Sequence, residues 1–277
     1  MDSSAIQLIQ DTAIEAAKAN RLDTDTPAFI TPDGRVVPLE FLQGGRSRFR
    51  GRFQTSAIED FVAYVRANQP DSLATLPAFV DIDAMAALAY FNLGSAASPG
   101  HADWTAQLTL KASAPFAALK AVDGKQLSQK QLGEFLEDWA EHIQPHDADG
   151  EYITVKDAVQ RVRKVKVKAT AEATHAVGNY ANSRSAMEDV EASSSAGQAL
   201  PESFDFSCVP YQGLTTHLAT LRPSLLTSGE GDNAKPVFVL RWAQREAVIE
   251  AIAENFKAVL ASRLEGGATL TLGTFTP

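Results

Sequence analysis

FDFSCVPYQGLTTHLATLRPSLLTSGEGDNAKPVFVLRW, from Phe204 to Trp242, contains three β-prone runs separated by turn chemistry. Phe204 to Val209, Thr215 to Leu226 and Pro236 to Trp242 read as strands of an antiparallel sheet. Pro210 with Gly213 marks one turn and Ser228-Gly-Glu-Gly231 the other. Then the period changes. Ile249, Ile252, Phe256 and Leu260 recur at three- and four-residue steps, which predicts a long buried-face helix from about Gln244 to Leu264 that stops at Gly266-Gly267. Thr269 to Leu272 returns as a last strand. Strand runs grouped with helices, without a regular βαβ alternation, give an α+β class: antiparallel or mixed sheets packed with several helices, and no Rossmann or P-loop pattern.

Upstream, the best-defined helix runs from Gln129 to about Ile143. Ser128 and Gln131 make a capping box, and Leu127 and Leu132 occupy the hydrophobic-staple positions. Leu132, Phe135, Leu136, Trp139 and Ile143 fall on one face, with Glu134, Glu137, Asp138 and Glu141 on the other. Pro145 and the turn after it suggest an N-terminal α+β lobe, 1–147, and a C-terminal α+β lobe, 148–277; a single compact domain is the alternative. Tyr152 to Gln160 reads as helical, and Ser193 to Gly197 as a small loop. Nearer the start, Ser4 to Ala19 reads as a helix with Ile6, Ile9, Ala13, Ala16 and Ala17 on one stripe. FITPDGRVVPL, residues 29–39, reads as a hairpin, and Ser56 with Glu59 as a second capping box. That box opens a helix burying Ile58, Phe61, Val62 and Val65. Phe79 to Asp81 and Trp104 to Leu110 read as strands, while Met85 to Leu93 fits a strand or a short helix. A loop is expected at Ser98 to His101, and Pro115 opens a short helix that ends at Asp123-Gly124.

Charge is distributed unevenly. GGRSRFRGRFQT, residues 44–55, places Arg46, Arg48, Arg50 and Arg52 between Phe49 and Phe53. RVRKVKVK, residues 161–168, adds Arg161, Arg163, Lys164, Lys166 and Lys168. The alternation from Lys164 to Thr170 predicts a half-exposed strand with a basic outer face. The chain carries a formal net charge of -9, and without these nine cations 16 Lys and Arg would face 34 Asp and Glu. Arginines interleaved with phenylalanines suit phosphates and stacked bases. The alternative is a solvated loop whose arginines pair with the acidic body and whose phenylalanines anchor the core. The carboxylates Glu134, Glu137, Asp138 and Glu141 suit a basic partner, or simply a solvated face.

The composition narrows the class. With 277 residues, 45% of them hydrophobic, the chain is large enough for a sizeable core. One cysteine, Cys208, excludes an internal disulfide and suits a reducing cytoplasm. The start lacks a basic n-region and an apolar h-region, which argues against a secretory signal, and no run approaches the ~20 apolar residues of a membrane span. There is no GxxxxGK[ST], GxGxxG or GxSxG. His101 with Asp103, His142 with His146, the Asp147–Glu151 run, and the pair Asp81 and Asp83 are the metal candidates. For each of these a structural role is the expectation, with Asp81 and Asp83 closing a strand. Asp123-Gly-Lys125 reads as a turn and Cys208 as core.

Arg50-Gly51-x-Phe53-x-Thr55 leading to Phe61-Val62-x-Tyr64-Val65 forms part of a wider pattern. Its other parts are Pro99-Gly100-His101-x-Asp103, the Ser128–Asp138 helix with its Phe-Leu-Glu-Asp, and Leu200-Pro201-x-x-Phe204 running to Pro210. Together they resemble the YfdQ-like family of phage and prophage proteins, a domain of unknown function. The resemblance implies a phage accessory protein in the cytoplasm of a bacterial host, with no catalytic residues to carry over. The expectation is a non-enzymatic binding protein without a cofactor, a counter-defence or host-takeover factor that engages a host protein or nucleoprotein complex. Two alternatives stand beside it: an accessory of phage recombination or replication that binds single-stranded DNA, and a metal-dependent nuclease using Asp81, Asp83 or His101. No membrane partner is expected, and a homo-oligomer is open.

Overall fold

Alternation of buried and exposed side chains along Phe204–Trp242 produces the sheet it predicts. The computed structural model describes residues 3–17, 20–22, 27–31, 34–70, 75–165, 199–228 and 235–277. It divides into two compact units, Met1–Phe53 with Tyr90–Thr105, and Gln54–Ala89 with Ala106–Pro277.

The first unit opens with α1, Ser3–Ala17, and a three-stranded antiparallel sheet: β1 Asn20–Leu22, β2 Ala28–Ile30 and β3 Val36–Pro38. β2 and β3 are the two arms of the hairpin expected over 29–39; Pro32 and Asp33 of its turn lie outside the described residues. A single 3-10 turn, Glu40–Leu42, precedes the arginine stretch, which is irregular to Arg50 and then extends as β4, Gly51–Thr55. In the segment 90–105 a bridge joins Gly94 to Pro99. A Cβ on Gly94 would lie 2.3 Å from the Ser98 carbonyl oxygen, and one on Gly100 would lie 2.1 Å from that of Asn92, so both positions require glycine. The large apolar side chains described on α1 stay exposed. Ile6, Leu8, Ile9 and Ile14 are all at least 46% exposed.

The second unit contains a five-stranded antiparallel sheet in the order β8-β12-β11-β10-β9. Its members are β8 Gln126–Ser128, β9 Ile143–His146, β10 Ser203–Cys208, β11 His217–Ser228 and β12 Lys235–Trp242. Residues on both sides of position 147 thus supply strands to one sheet. On its buried face stand Phe204, Phe206, Leu221, Phe238, Leu240 and Trp242. Phe135 stacks at 6.2 Å on Phe206, and Phe116 meets Trp242 edge-on at 6.1 Å. These aromatics bring α3, Ala114–Val122, and α4, Gln129–Asp138, onto that face, and Val162 of α5, Val155–Lys164, closes against Phe204 and Phe238. A second five-stranded sheet, β13-β5-β6-β7-β4, uses β5 Leu76–Asp81, β6 Ala86–Tyr90, β7 Trp104–Thr109 and β13 Ala268–Leu272. β13 runs parallel to β5, which makes this sheet mixed. Here α2, Ile58–Asn68, packs against α6, Arg245–Leu264, with Phe61, Val65, Phe256 and Leu260 almost fully buried. The α+β architecture is therefore as expected.

Several local expectations are corrected. α4 ends at Asp138, and Ile143 pairs with Phe206 as part of β9, because the sheet edge competes successfully with one more helical turn. Glu141 consequently lies beyond the helix. Lys164, expected to open a strand, instead ends α5 with Arg161 and Arg163, where the last turn places cations at the negative end of the helix dipole. Lys166, Lys168 and Ser193–Gly197 lie outside the described residues. α2 starts after Ala57 without the Ser56 box, since Thr55 Oγ1 accepts the Ala57 N–H instead at 3.1 Å. Ile249 of α6 is 37% exposed, away from the buried stripe. Met85 to Leu93 resolves as the strand β6.

Candidate binding surface

Glu40 is the only acid between Gly34 and Ile58, and the arginine stretch is built around it. Its Oε1 accepts the Ser47 backbone N–H at 2.9 Å and Arg50 Nη1 at 3.2 Å, while Oε2 takes Arg50 Nη2. Ser47 Oγ donates to Gln43 Oε1 at 3.2 Å. Residues 40–50 are thereby closed into a loop on their own carboxylate. The Arg50 hydrogen bonds, followed by the Ser47 amide, hold the Glu40 carboxyl below its ordinary range.

A second carboxylate pins the same loop. Arg48 Nη1 donates to Asp103 Oδ1 at 2.5 Å, and Asn92 Nδ2 donates to that oxygen at 2.8 Å. Asn92 Oδ1 in turn accepts the Trp104 N–H at 3.0 Å, and Gly51 N–H reaches the Asp103 carbonyl at 2.8 Å. The Arg48 hydrogen bond outweighs desolvation and, with Asn92, holds the Asp103 carboxyl down at about 2. Phe49 lies 4.6 Å from the Trp104 ring, which also stacks on the buried Phe91 at 4.7 Å.

Two of the four arginines are thus structural, as the pairing alternative anticipated. Arg46 and Arg52 point outward and are exposed. Between them the loop presents apolar surface: Phe41 is 74% exposed, Leu42 71% and Phe49 61%. Phe53 is half-buried. Sequence reasoning missed Glu40, Phe41 and Leu42, and singled out Asp103 only beside His101 as a metal candidate, not as the partner of Arg48. The signal available was a lone acid beside two large apolar residues, immediately upstream of an arginine run.

The remaining candidates gather on α4 and α5. Arg163 Nη2 pairs with Glu137 Oε2 at 2.9 Å, and its guanidinium passes within 3.3 Å of where a Cβ on Gly133 would stand. Arg161 Nη1 donates to the Ala199 carbonyl at 3.0 Å, and Gln129 Nε2 caps the end of α5 through Val162 and Val165 carbonyls at 3.0 and 2.7 Å. Lys164 is exposed. Glu134 approaches Lys130 at 3.6 Å, and Glu134 and Asp138 line an open cleft of about 300 Å³ with Phe135 and Trp139. Part of the acidic stripe is therefore paired with part of the basic cluster.

Several of the metal candidates have other partners. Asp81 Oδ1 accepts the N–H groups of Asp83 and Ala84, and so closes β5. Asp147 Oδ1 similarly accepts those of Asp149 and Glu151. His142 stacks on Phe206, while His146 faces Asp205. Among the described residues no group of three or more His, Cys, Asp or Glu side chains could hold a metal ion, and no helix is long and apolar enough to cross a membrane. Asp123 Oδ1 accepts the Trp242 N–H at 2.8 Å, a structural turn contact. Cys208 is buried, which pushes its thiol up to about 11.

The family model for an uncharacterized conserved protein, DUF2303, matches residues 2–275, so the chain belongs to that family. No curated protein and no solved structure matches it.

Proposed function

We propose that this member of the DUF2303 family is a non-enzymatic binding protein that docks a protein, or the protein part of a nucleoprotein complex, on the loop 40–53. The observation that carries this reading is a rigidly closed loop whose apolar tips, Phe41, Leu42 and Phe49, stay exposed beside Arg46 and Arg52. Interface centres are enriched in aromatic and arginine side chains, and an apolar cluster edged by cations suits a partner with an acidic rim. Preorganisation by Glu40 and Asp103 lowers the ordering cost on docking. In the setting that the resemblance implies, a bacterial cytoplasm under phage control, such a factor would serve counter-defence or host takeover.

A second reading is favoured by Phe49 itself. An exposed ring beside Arg46 and Arg52 could stack a base of single-stranded DNA. Binding of labelled single- and double-stranded DNA across a salt series separates the two. The protein-docking reading expects no saturable DNA binding at low salt. Tight binding that falls steeply with salt and is lost in a variant with Arg46→Ala and Arg52→Ala would replace it with the DNA reading.

A further inference from the structure

The two five-stranded sheets have four edge strands, and three of them are blunted. β8, Gln126–Ser128, is only three residues long, β9 contains Pro145, and β4 carries Arg52. Short length, proline and charge are the features that keep a sheet edge from pairing with another chain. β13 has none of them. Residues 266–277, GGATLTLGTFTP, include no charged side chain, and the strand itself is Ala-Thr-Leu-Thr-Leu. Among the described residues its only strand partner is β5. Beyond it Gly273, at φ 118°, turns the chain, and Phe275 stacks on Phe79 at 4.9 Å. The residues after β13 therefore lie over a face of the sheet and not along this edge.

The backbone of that edge is oriented for pairing. Leu76 N–H donates to the Gly267 carbonyl and Gly273 N–H to that of Val80, each at 2.9 Å, so the odd-numbered residues of β13 face β5. Backbone groups alternate in direction along an extended strand, which leaves the N–H and C=O of Ala268, Leu270 and Leu272 pointing away from the sheet. The side chains agree. Leu272 shares a row with Val80 and Ala87, which are 0% and 2% exposed, yet it is itself 51% exposed, so a core row ends uncovered at this edge. We infer that β13 pairs antiparallel with β13 of a second copy of this chain, about a two-fold axis at Leu270. In that register Leu270 meets its own copy and Ala268 meets Leu272. Each outward N–H and C=O then finds a partner, about six hydrogen bonds in all. Thr269 meets Thr271 on one face, a favourable cross-strand pair, and the leucines meet on the other, where Leu272 becomes covered. No charge opposes a like charge, because the strand has none. The alternation Thr-Leu-Thr-Leu is its own complement in this register, which favours a second copy over a strand of other sequence. The same patch serves both copies, so association closes at a dimer instead of running on as a filament. The loop 40–53 takes no part in it.

The test is sedimentation velocity on the full chain across a concentration series, together with amide exchange at low and high concentration. Wild type is expected to move from one to two chain masses as concentration rises. The amides of Ala268, Leu270 and Leu272 are expected to gain protection of about tenfold or more in the dimer. Leu272→Lys, which leaves an exposed cation in the monomer but buries it in the dimer, is expected to weaken association by about tenfold or more. Ala268→Pro removes an outward N–H that β5 does not use, and is expected to weaken association while the circular dichroism of both variants matches wild type. A wild-type chain that is monomeric at every concentration would overturn the pairing and leave the edge to a strand of another protein. Dimers that tolerate both substitutions, dimers whose three amides exchange as fast as the monomer's, or open-ended polymers would overturn it too.

Discussion

Arg48 and Asp103, separated by 55 positions in sequence, meet at 2.5 Å, and this pair fastens the arginine loop to the segment that carries Trp104. Asp103→Ala removes the acceptor of both Arg48 and Asn92. Hydrogen bonds to charged groups contribute about 1.5–3 kcal/mol when protected, and the partial exposure of this pair reduces the expected loss to about 1 kcal/mol. Amide exchange over residues 47–51 should accelerate by about fivefold, with little change in the sheet of Phe204–Trp242.

Acid should open the same loop. Asp103 takes up its proton near 3.8 when unfolded but only at about 2 when folded, because of Arg48 and Asn92. Its stabilisation is therefore complete above about pH 4, declines as pH falls, and is gone below about 2. Glu40, held low by Arg50, acts in the same direction. Protection factors over residues 44–51, taken from amide exchange in a pH series and referred to the intrinsic rate at each pH, should remain high at pH 5 and fall between about 4 and 2. An Asp103→Asn variant should lack most of that step.

Cys208 should be inert in the native protein. Burial of its thiol, pushed up to about 11, leaves little thiolate at pH 8 and little access. A thiol reagent at pH 8 should modify the chain only after denaturant is added; rapid native modification would show that β10 opens locally.

The capping box on α4 should be measurable. Ser128 Oγ accepts the Gln131 N–H at 3.3 Å, and Gln131 Oε1 accepts the Ser128 N–H at 2.9 Å. Ser128→Ala should cost about 1 kcal/mol, seen as a lower midpoint in urea with an unchanged slope.

Elements whose signal is local were legible before the structure. The Ser128 box, the proline-opened α3, and the alternating strands of Phe204–Trp242 are decided by neighbours a few residues away. Where periodicity misled, two structures shared one spacing. Ile143 continues the α4 stripe, yet it pairs with Phe206 across a sheet edge formed by residues about sixty positions later. Lys164 and Val165 fit an alternating strand equally well, although Ala158, Val159 and Val162 carry the helical step that decides the matter. For the candidate surface, the four arginines were legible as a cluster, but their division into two pinned and two outward side chains was not. It depends on Asp103, which only the tertiary fold brings to Arg48.

The measurement closest to the central claim is affinity capture from nuclease-treated bacterial lysate. Wild type would be compared with a Phe41→Ser, Phe49→Ser variant, and captured proteins quantified by mass spectrometry against the bait. Both substituted side chains are exposed, so the variant should stay folded, with its midpoint lowered only by loss of the Phe49–Trp104 contact. The account predicts one protein recovered at near-stoichiometric amount on wild type and depleted at least tenfold on the variant. No stoichiometric protein on wild type, or equal recovery on both baits, would contradict docking through the loop.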